Sequence, residues 1–435
     1  MATTTKKPHV LVVPFPQSGH MLPHLDLTHQ ILLRGATVTV LVTPKSSSYL
    51  DPLRSLHSPE HFKTLILPFP SHPCIPSGVE TLQQLPLQAL PHMFEALSRL
   101  HDPLVDFLRR QPPSDLPDAI LGSSFLSPWI NKVADAFSLK SICFLPINAH
   151  SISTMWGQED RGFFDELETA TTESYGLVVN TFYELEPHFV ESVKTRFMTH
   201  HRVWTVGPLL AVKAGVDRGG KSSIPPEKVS GWLDSCPEDN SVVYIGFGSQ
   251  IRLTAEQTAA LAAALEKSGV RFIWAVREAA KKINDGGDNS GEEDVIPAGF
   301  EERVKEKGIV IRGWAPQTMI LEHRAVGSYL THLGWGSVLE GMVGGVLLLA
   351  WPMQADHFYN KTLLVDNLRA AVRVGENKDS VPDSDELARV LAESMKEDLP
   401  ERVTLMKLRE RGMEAIEEGG SSYNNLDELV AEMCV

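Results

Sequence analysis

The chain has 435 residues, 43% of them apolar and 22% charged, with a formal net charge of −15. That length predicts two or three domains of about 150 residues each. The acidic balance argues against nucleic acid or an anionic membrane as a partner, although a local pocket can still hold a small anion. The four cysteines, Cys74, Cys143, Cys236 and Cys434, lie far apart with no C-x-x-C pair. Their spacing suggests neither a zinc site nor a disulfide framework, and it fits a reducing, cytoplasmic setting. The polar start and the short Val10–Val13 run lack a signal-peptide core. The longest apolar runs, such as Val346–Trp351, fall far below the roughly 20 residues of a membrane span.

Short apolar runs alternate with amphipathic stretches along the whole chain, which predicts an α/β fold of parallel sheets covered by helices. The first half gives strands at Val10–Val13, Thr37–Val42, Thr64–Leu67, Ala119–Leu121, Ser141–Phe144 and Leu177–Asn180, with helical patterns at Leu87–Arg109 and Trp129–Phe137. The second half gives strands at Val242–Ile245, Phe272–Val276, Ile309–Ile311, Gly327–Leu330 and Val346–Ala350, and helices at Ala255–Lys267, Ser337–Met342 and Glu386–Lys396. The Pro- and Gly-rich stretch from Gly207 to Lys228 reads as a join. The expected domains are therefore 1–210 and 229–435 with a 211–228 linker, the last helix packing back on the first domain. Asn284–Asp294 reads as a further loop. Two doubly wound domains that face each other would bind ligands in a cleft at their strand C-termini.

Five features of the second half sit where a strand ends. Gly246-Phe247-Gly248-Ser249 forms a turn whose backbone and hydroxyl can approach a phosphate. Ile251 stands where a dinucleotide fingerprint needs Gly or Ala, which disfavours a nicotinamide dehydrogenase. Trp314-Ala315-Pro316-Gln317 offers a flat indole to a base. Thr331-His332-Leu333-Gly334-Trp335-Gly336-Ser337 offers a helix start for a diphosphate. Glu340 follows one turn later and can accept from ribose hydroxyls. Gln354-Ala355-Asp356-His357 can bond sugar hydroxyls. Each fragment alone also reads as a plain turn, a packing residue or a helix cap.

In order and spacing, Trp314–His357 resembles the donor-binding signature of plant UDP-dependent glycosyltransferases, and Trp204–Leu209 and Trp232–Asp234 resemble further landmarks of that family. The resemblance implies two facing Rossmann-like domains of the GT-B type. It also implies a metal-independent, inverting transfer that needs no cofactor beyond the UDP-sugar co-substrate. It places uracil on Trp314, the ribose and base near Ala315 and Gln317, and the ribose on Glu340. Gly19, Ser249, His332, Gly334, Trp335, Gly336 and Ser337 surround the diphosphate, and Asp356 and His357 hold the sugar. Most members carry Asn at the place of Gly336. Glucosyl-transferring members mostly carry Gln at the place of His357, so His357 points to another donor.

In the first half, Gly19 permits a tight turn and His20 opens a helix, whose N-terminus disfavours the imidazolium. The resemblance makes His20 the general base. The family orients it with an Asp, where this chain has Ser124, so Ser124 is the expected orienting residue or His20 acts alone. An acidic acceptor hydroxyl tolerates the weaker base. Phe15, Phe125 and the Pro146–Ile147 loop are expected to border the acceptor and the sugar. His20 and His24 have the spacing of a metal pair but lack a third ligand. Asp383-Ser384-Asp385 reads as a helix cap rather than a metal motif. Within the family the pattern is nearest to members that move L-rhamnose from UDP-β-L-rhamnose to the 7-hydroxyl of a flavonol. Galactosyl or glucosyl transfer, or a catalytically silent UDP-sugar or flavonoid binder, are the alternatives. The protein is expected to act as a monomer.

Overall fold

The structure is a computed structural model that describes residues 7–158, 161–212, 220, 222–277 and 296–434. The predicted Asn284–Asp294 loop and residues 213–219 and 221 of the predicted linker lie outside the described residues. The chain divides into two compact units, residues 1–212 with 412–435, and residues 213–411.

The first unit is built on a seven-stranded sheet: β1 (His9–Val13), β2 (Thr37–Val42), β3 (Phe62–Ile66), β4 (Ala119–Ser123), β5 (Lys140–Leu145), β6 (Gly176–Val179) and β7 (Val203–Thr205). Its spatial order is β3-β2-β1-β4-β5-β6-β7, and every neighbouring pair is parallel. A parallel sheet is covered on both faces, so its central strands are apolar at every position. In β1, Val10 and Val12 enter one core with Val38, Val40 and the C-terminal Leu426, Leu429 and Val430. Leu11 and Val13 enter the opposite core with Phe15, Phe94, Ile120 and Ile130.

The second unit is built on a six-stranded sheet: β8 (Val242–Gly246), β9 (Arg271–Val276), β10 (Gly308–Arg312), β11 (Val326–Thr331), β12 (Leu347–Ala350) and β13 (Ala371–Arg373). It runs in the order β10-β9-β8-β11-β12-β13, again parallel throughout. In each unit the chain winds outward in both directions from one central pair, β1 with β4 and β8 with β11. This is the Rossmann-like switch point at which loops from the strand C-termini diverge.

Several predicted elements shift. The Leu87–Arg109 helix is broken into Leu90–Ser98 and His101–Arg109, because the ring of Pro103 would collide with the carbonyl of Arg99 in a continuous helix. The predicted Ser337–Met342 helix begins two residues earlier and runs from Trp335 to Gly344, which puts Ser337 inside its first turn rather than at its cap. β7 and β13, each three residues long, have too little pattern to stand out. Asp383 caps the Ser384–Glu393 helix, accepting from the amides of Asp385 and Glu386 at 3.0 and 2.9 Å. Among the described residues no helix is long and apolar enough to cross a membrane.

Candidate functional site

In the second unit, four of the predicted fragments follow the C-termini of β8, β10, β11 and β12. Trp314 comes two residues after β10, partly buried, with Ala315 buried behind it. Pro316 caps the short Gln317–Leu321 helix, which turns the side chain of Gln317 inward. Its Oε1 accepts from the Tyr244 hydroxyl at 3.2 Å and the Tyr329 hydroxyl at 3.0 Å. Its Nε2 donates to Ser337 Oγ at 3.2 Å and to Glu340 Oε2 at 2.6 Å. All four hydrogen-bonding positions of the amide are thus engaged inside the protein. Gln317 therefore has no hydrogen-bonding position left for a ligand and instead fixes the orientation of Glu340. The two tyrosines face each other across β8 and β11 in register, with ring centroids 4.9 Å apart.

The sequence reading missed Tyr244 and Tyr329. Their signal is a polar-tipped aromatic inside each of two buried strands, and a buried phenol needs a hydrogen-bond partner.

His332 follows β11. It packs so closely against the neighbouring loops that a Cβ on Gly248 or on Gly334 would lie 2.6 Å from its Nε2. Those glycines are required by the imidazole itself, and Gly248 also takes a left-handed φ of +70°. Burial, and then the nearby His357, hold His332 well below the ordinary histidine range. It is therefore a neutral group whose one N–H is directed at the Gly246 carbonyl and which brings no positive charge. Leu333 adopts φ +66°. Thr331 Oγ1 accepts its amide at 3.2 Å and Asn360 Nδ2 donates to its carbonyl at 2.8 Å, which fixes this strained turn. Gly334 caps the Trp335–Gly344 helix, Gly336 is exposed, and a Cβ there would meet nothing within 4 Å. Ser249, partly buried, lies in the turn after β8.

Asn360 also donates to Asp356 Oδ2 at 2.8 Å. One amide thus ties the turn after β11 to the loop after β12, a link that only the i, i+4 spacing of Asp356 and Asn360 hints at in the sequence. The Asp356 carboxylate accepts from the Trp335 amide as well, so it occupies one of the donors at that helix start. Loss of solvent raises Asp356 to about 6 and lowers His357 to about 4. His357 Nδ1 accepts from the Gln354 amide at 3.2 Å, which places the proton of the neutral ring on Nε2. The His332 and His357 rings meet edge-on, 4.7 Å apart.

In the first unit, Gly19 and His20 follow β1, Ser124 and Phe125 follow β4, and Pro146 and Ile147 follow β5, three adjacent strands. His20 lies in the first turn of the Ser18–Leu33 helix. Its ring packs against Phe125 at 4.5 Å and Phe15 at 5.6 Å. Burial is the main reason its pKa falls to about 3, with His24 adding to the effect; the helix start expected to do this is not needed. His20 Nδ1 and Ser124 Oγ are each buried without a hydrogen-bond partner. The expected Ser124–His20 bond is therefore not made.

Phe15 is fully buried and backs the imidazole, whereas Phe125 is partly exposed. Phe94 and Phe163 extend this aromatic cluster. Pro146 is buried and Ile147 partly so. Asn148, just beyond, caps the next helix by accepting the Ser151 amide at 2.6 Å. The buried Glu186 accepts the amides of Ala149 and His150 at 2.9 and 2.7 Å, which anchors this loop from below.

The sequence profile of the family described as UDP-glucoronosyl and UDP-glucosyl transferase matches residues 220–408. Flavonol 7-O-rhamnosyltransferase of Arabidopsis thaliana is 88% identical over 433 residues, spanning 100% of this chain and 99% of that protein. The crystal structure of Arabidopsis thaliana UGT89C1 complexed with UDP-L-rhamnose matches with a TM-score of 0.93 at 84% identity, covering 99% of this chain and 100% of that one. The complex of the same protein with quercetin matches with a TM-score of 0.90 at 82% identity, with the same coverage.

Proposed function

The chain belongs to the UDP-glucoronosyl and UDP-glucosyl transferase family and is a glycosyltransferase; from that premise we propose that it transfers L-rhamnose from UDP-β-L-rhamnose to the 7-hydroxyl of a flavonol, with inversion. The observation that carries this reading is the 88% identity, end to end, with the Arabidopsis flavonol 7-O-rhamnosyltransferase. The UDP-L-rhamnose and quercetin complexes of a protein of nearly the same sequence support the two substrates.

His357 is consistent with that donor. A glutamine at its place offers a sugar both a donor and an acceptor. The neutral imidazole, with Nδ1 already taken by Gln354, offers a single donor, which suits a 6-deoxy sugar with fewer hydroxyls.

In this mechanism His20 takes the acceptor proton. Its Nδ1 is sealed, so Nε2 is the nitrogen that receives it. The acceptor oxygen forms its bond to the anomeric carbon on the face opposite UDP. The bond from that carbon to the diphosphate oxygen breaks, and the β-L donor yields an α-L-rhamnoside. Glu340 and Trp314 hold the ribose and uracil. The main chain at the start of the Trp335–Gly344 helix, with Ser249, receives the leaving diphosphate and His332 packs beside it, so the reaction requires no metal. With His20 lowered to about 3, the base is weak, which favours a phenol acidified by conjugation, such as the flavonol 7-hydroxyl. Phe125 and the Pro146–Ile147 loop border the acceptor.

The test is turnover of quercetin with UDP-rhamnose, UDP-glucose and UDP-galactose in turn, with the product's linkage assigned by NMR and the UDP-rhamnose reaction repeated in a chelator. The expected product is the 7-O-α-L-rhamnoside, formed at the same rate with the chelator. Faster turnover with UDP-glucose or UDP-galactose, or attachment elsewhere on the ring system, would overturn the assignment.

A further inference from the structure

The cysteine spacing points away from a zinc site, but the fold brings one of the four beside two histidines. His72 and Cys74 lie two residues apart on the loop after β3. His92 lies on the Leu90–Ser98 helix, with Glu95 one turn further on. The ligand atoms of His72, Cys74 and His92 all lie within 4.8 Å of one another. The His72 and His92 rings are 5.2 Å apart between centroids, and His72 Nε2 lies 3.0 Å from Glu95 Oε2.

We propose that His72, Cys74 and His92, with Glu95 as the fourth ligand, form a surface site in the first unit for a divalent transition ion of the zinc class. The ligand chemistry selects the ion. One thiolate, two imidazoles and one carboxylate make a borderline-soft set that suits zinc and does not suit magnesium or calcium. Bonds of about 2.0–2.3 Å in a tetrahedral site place the donor atoms roughly 3.3–3.8 Å apart, so His72, Cys74 and His92 close by a shift of about 1 Å, while the exposed Glu95 carboxylate, beside His72 Nε2, has to swing in further to complete the set. Cys74 is exposed and His92 is partly so, which leaves both side chains room to make that shift.

Glu95 and His72 are already braced. Arg99 donates to Glu95 Oε1 at 2.9 Å and to the Ser71 carbonyl at 2.6 Å, holding the helix and the loop in one outer shell. The His72 imidazole now accepts the Cys74 amide at Nδ1, 3.1 Å away, and its Nε2 faces Glu95. On binding, the cation takes the place of the proton between Nε2 and Glu95. The ring proton moves to Nδ1, which gives up the Cys74 amide, and the thiol releases its proton to solvent. The ion would thus tie the loop carrying Ile75 to the helix carrying Phe94. Both belong to the core cluster that contains Phe15, so the site would stiffen the aromatic wall behind His20 without touching the reacting atoms.

The test uses the full chain, stripped by a chelator and kept reduced, titrated with zinc against a chromophoric competitor and separately with cobalt(II). The expected result is one equivalent of zinc bound, with affinity falling on the order of tenfold or more in Cys74→Ser and in His92→Ala. The cobalt form should show a thiolate charge-transfer band that Cys74→Ser abolishes. Melting curves in the chelator verify that both variants remain folded, as the positions of their side chains predict. Stoichiometric zinc binding unchanged by both substitutions, no binding at all, or a cobalt complex without a thiolate band would overturn the proposal.

Discussion

Gln317 Nε2 donates to Glu340 Oε2 at 2.6 Å while its Oε1 accepts from both Tyr244 and Tyr329. This glutamine converts a helix-surface carboxylate into an aimed one. Gln317→Leu keeps most of the volume but removes the amide that Tyr244, Tyr329 and Glu340 all bond to, leaving Tyr329 to Ser337 and Thr331. Losing such partners costs about 1–3 kcal/mol each when the groups stay buried. With the ribose on Glu340 as proposed, the KM for the UDP-sugar should rise on the order of tenfold with a smaller change in kcat, because such a contact is made alike in the ground and transition states. Steady-state kinetics with saturating acceptor, alongside a melting curve, measure both effects. An unchanged donor KM would show that Glu340 needs no aiming.

The candidate site was legible in the sequence where a motif along the chain carries it, and hidden where a side chain depends on a partner brought in by the fold. Trp314, Glu340, Asp356 and His357 could be picked out because the order and spacing of Trp314–His357 resemble the family's donor-binding signature. Tyr244, Tyr329 and Asn360 could not, since their roles exist only once β8, β11 and the loop after β12 are side by side. The strands were read well for the same reason: parallel strands buried on both faces are continuous apolar runs. β7 and β13 escaped because three residues carry no period, and the break near Arg99 escaped because the collision caused by Pro103 acts four residues upstream.

Gly336 stands where most of the family carries Asn, and a Cβ there would meet nothing within 4 Å. Gly336→Asn should therefore be accommodated without strain in the first turn of the Trp335–Gly344 helix. It should also offer the diphosphate an amide donor. A net gain of about 1 kcal/mol for such a bond corresponds to roughly fivefold tighter UDP binding. Calorimetric titration of UDP into both proteins measures it. Equal or weaker binding would mean that the backbone donors already saturate the phosphate oxygens.

The acid limb of the pH profile should belong to Asp356 rather than to His20. Burial raises Asp356 to about 6, whereas it lowers His20 to about 3 and His357 to about 4. As pH falls through about 6, Asp356 takes up a proton and loses acceptor capacity toward the Trp335 amide and a sugar hydroxyl. Both histidines stay neutral across that window, so the base remains competent. The quantity kcat/KM for the donor should therefore fall below pH 6. In Asp356→Asn the remaining activity should be lower and flat across the same range. A limb that persists in Asp356→Asn would assign it to another group.

Ser124→Asp tests what the sealed Nδ1 of His20 costs. Both His20 Nδ1 and Ser124 Oγ are buried without a partner, and the family supplies a carboxylate at this place. An aspartate there would accept from Nδ1–H and stabilise the imidazolium that forms as the acceptor proton moves to Nε2. It would raise His20 from about 3 towards the ordinary histidine range. The burden falls on the resting protein, where a new buried carboxylate faces aromatic rings and should lower stability by about 1–3 kcal/mol. The gain should depend on the acceptor. A phenol acidified by conjugation needs little help and should change least, while a less acidic hydroxyl should be glycosylated faster than by the parent enzyme. Rates for a graded series of phenols, plotted against acceptor pKa, should give a shallower slope for Ser124→Asp. Parallel slopes for the two proteins would mean that position 124 does not act on His20.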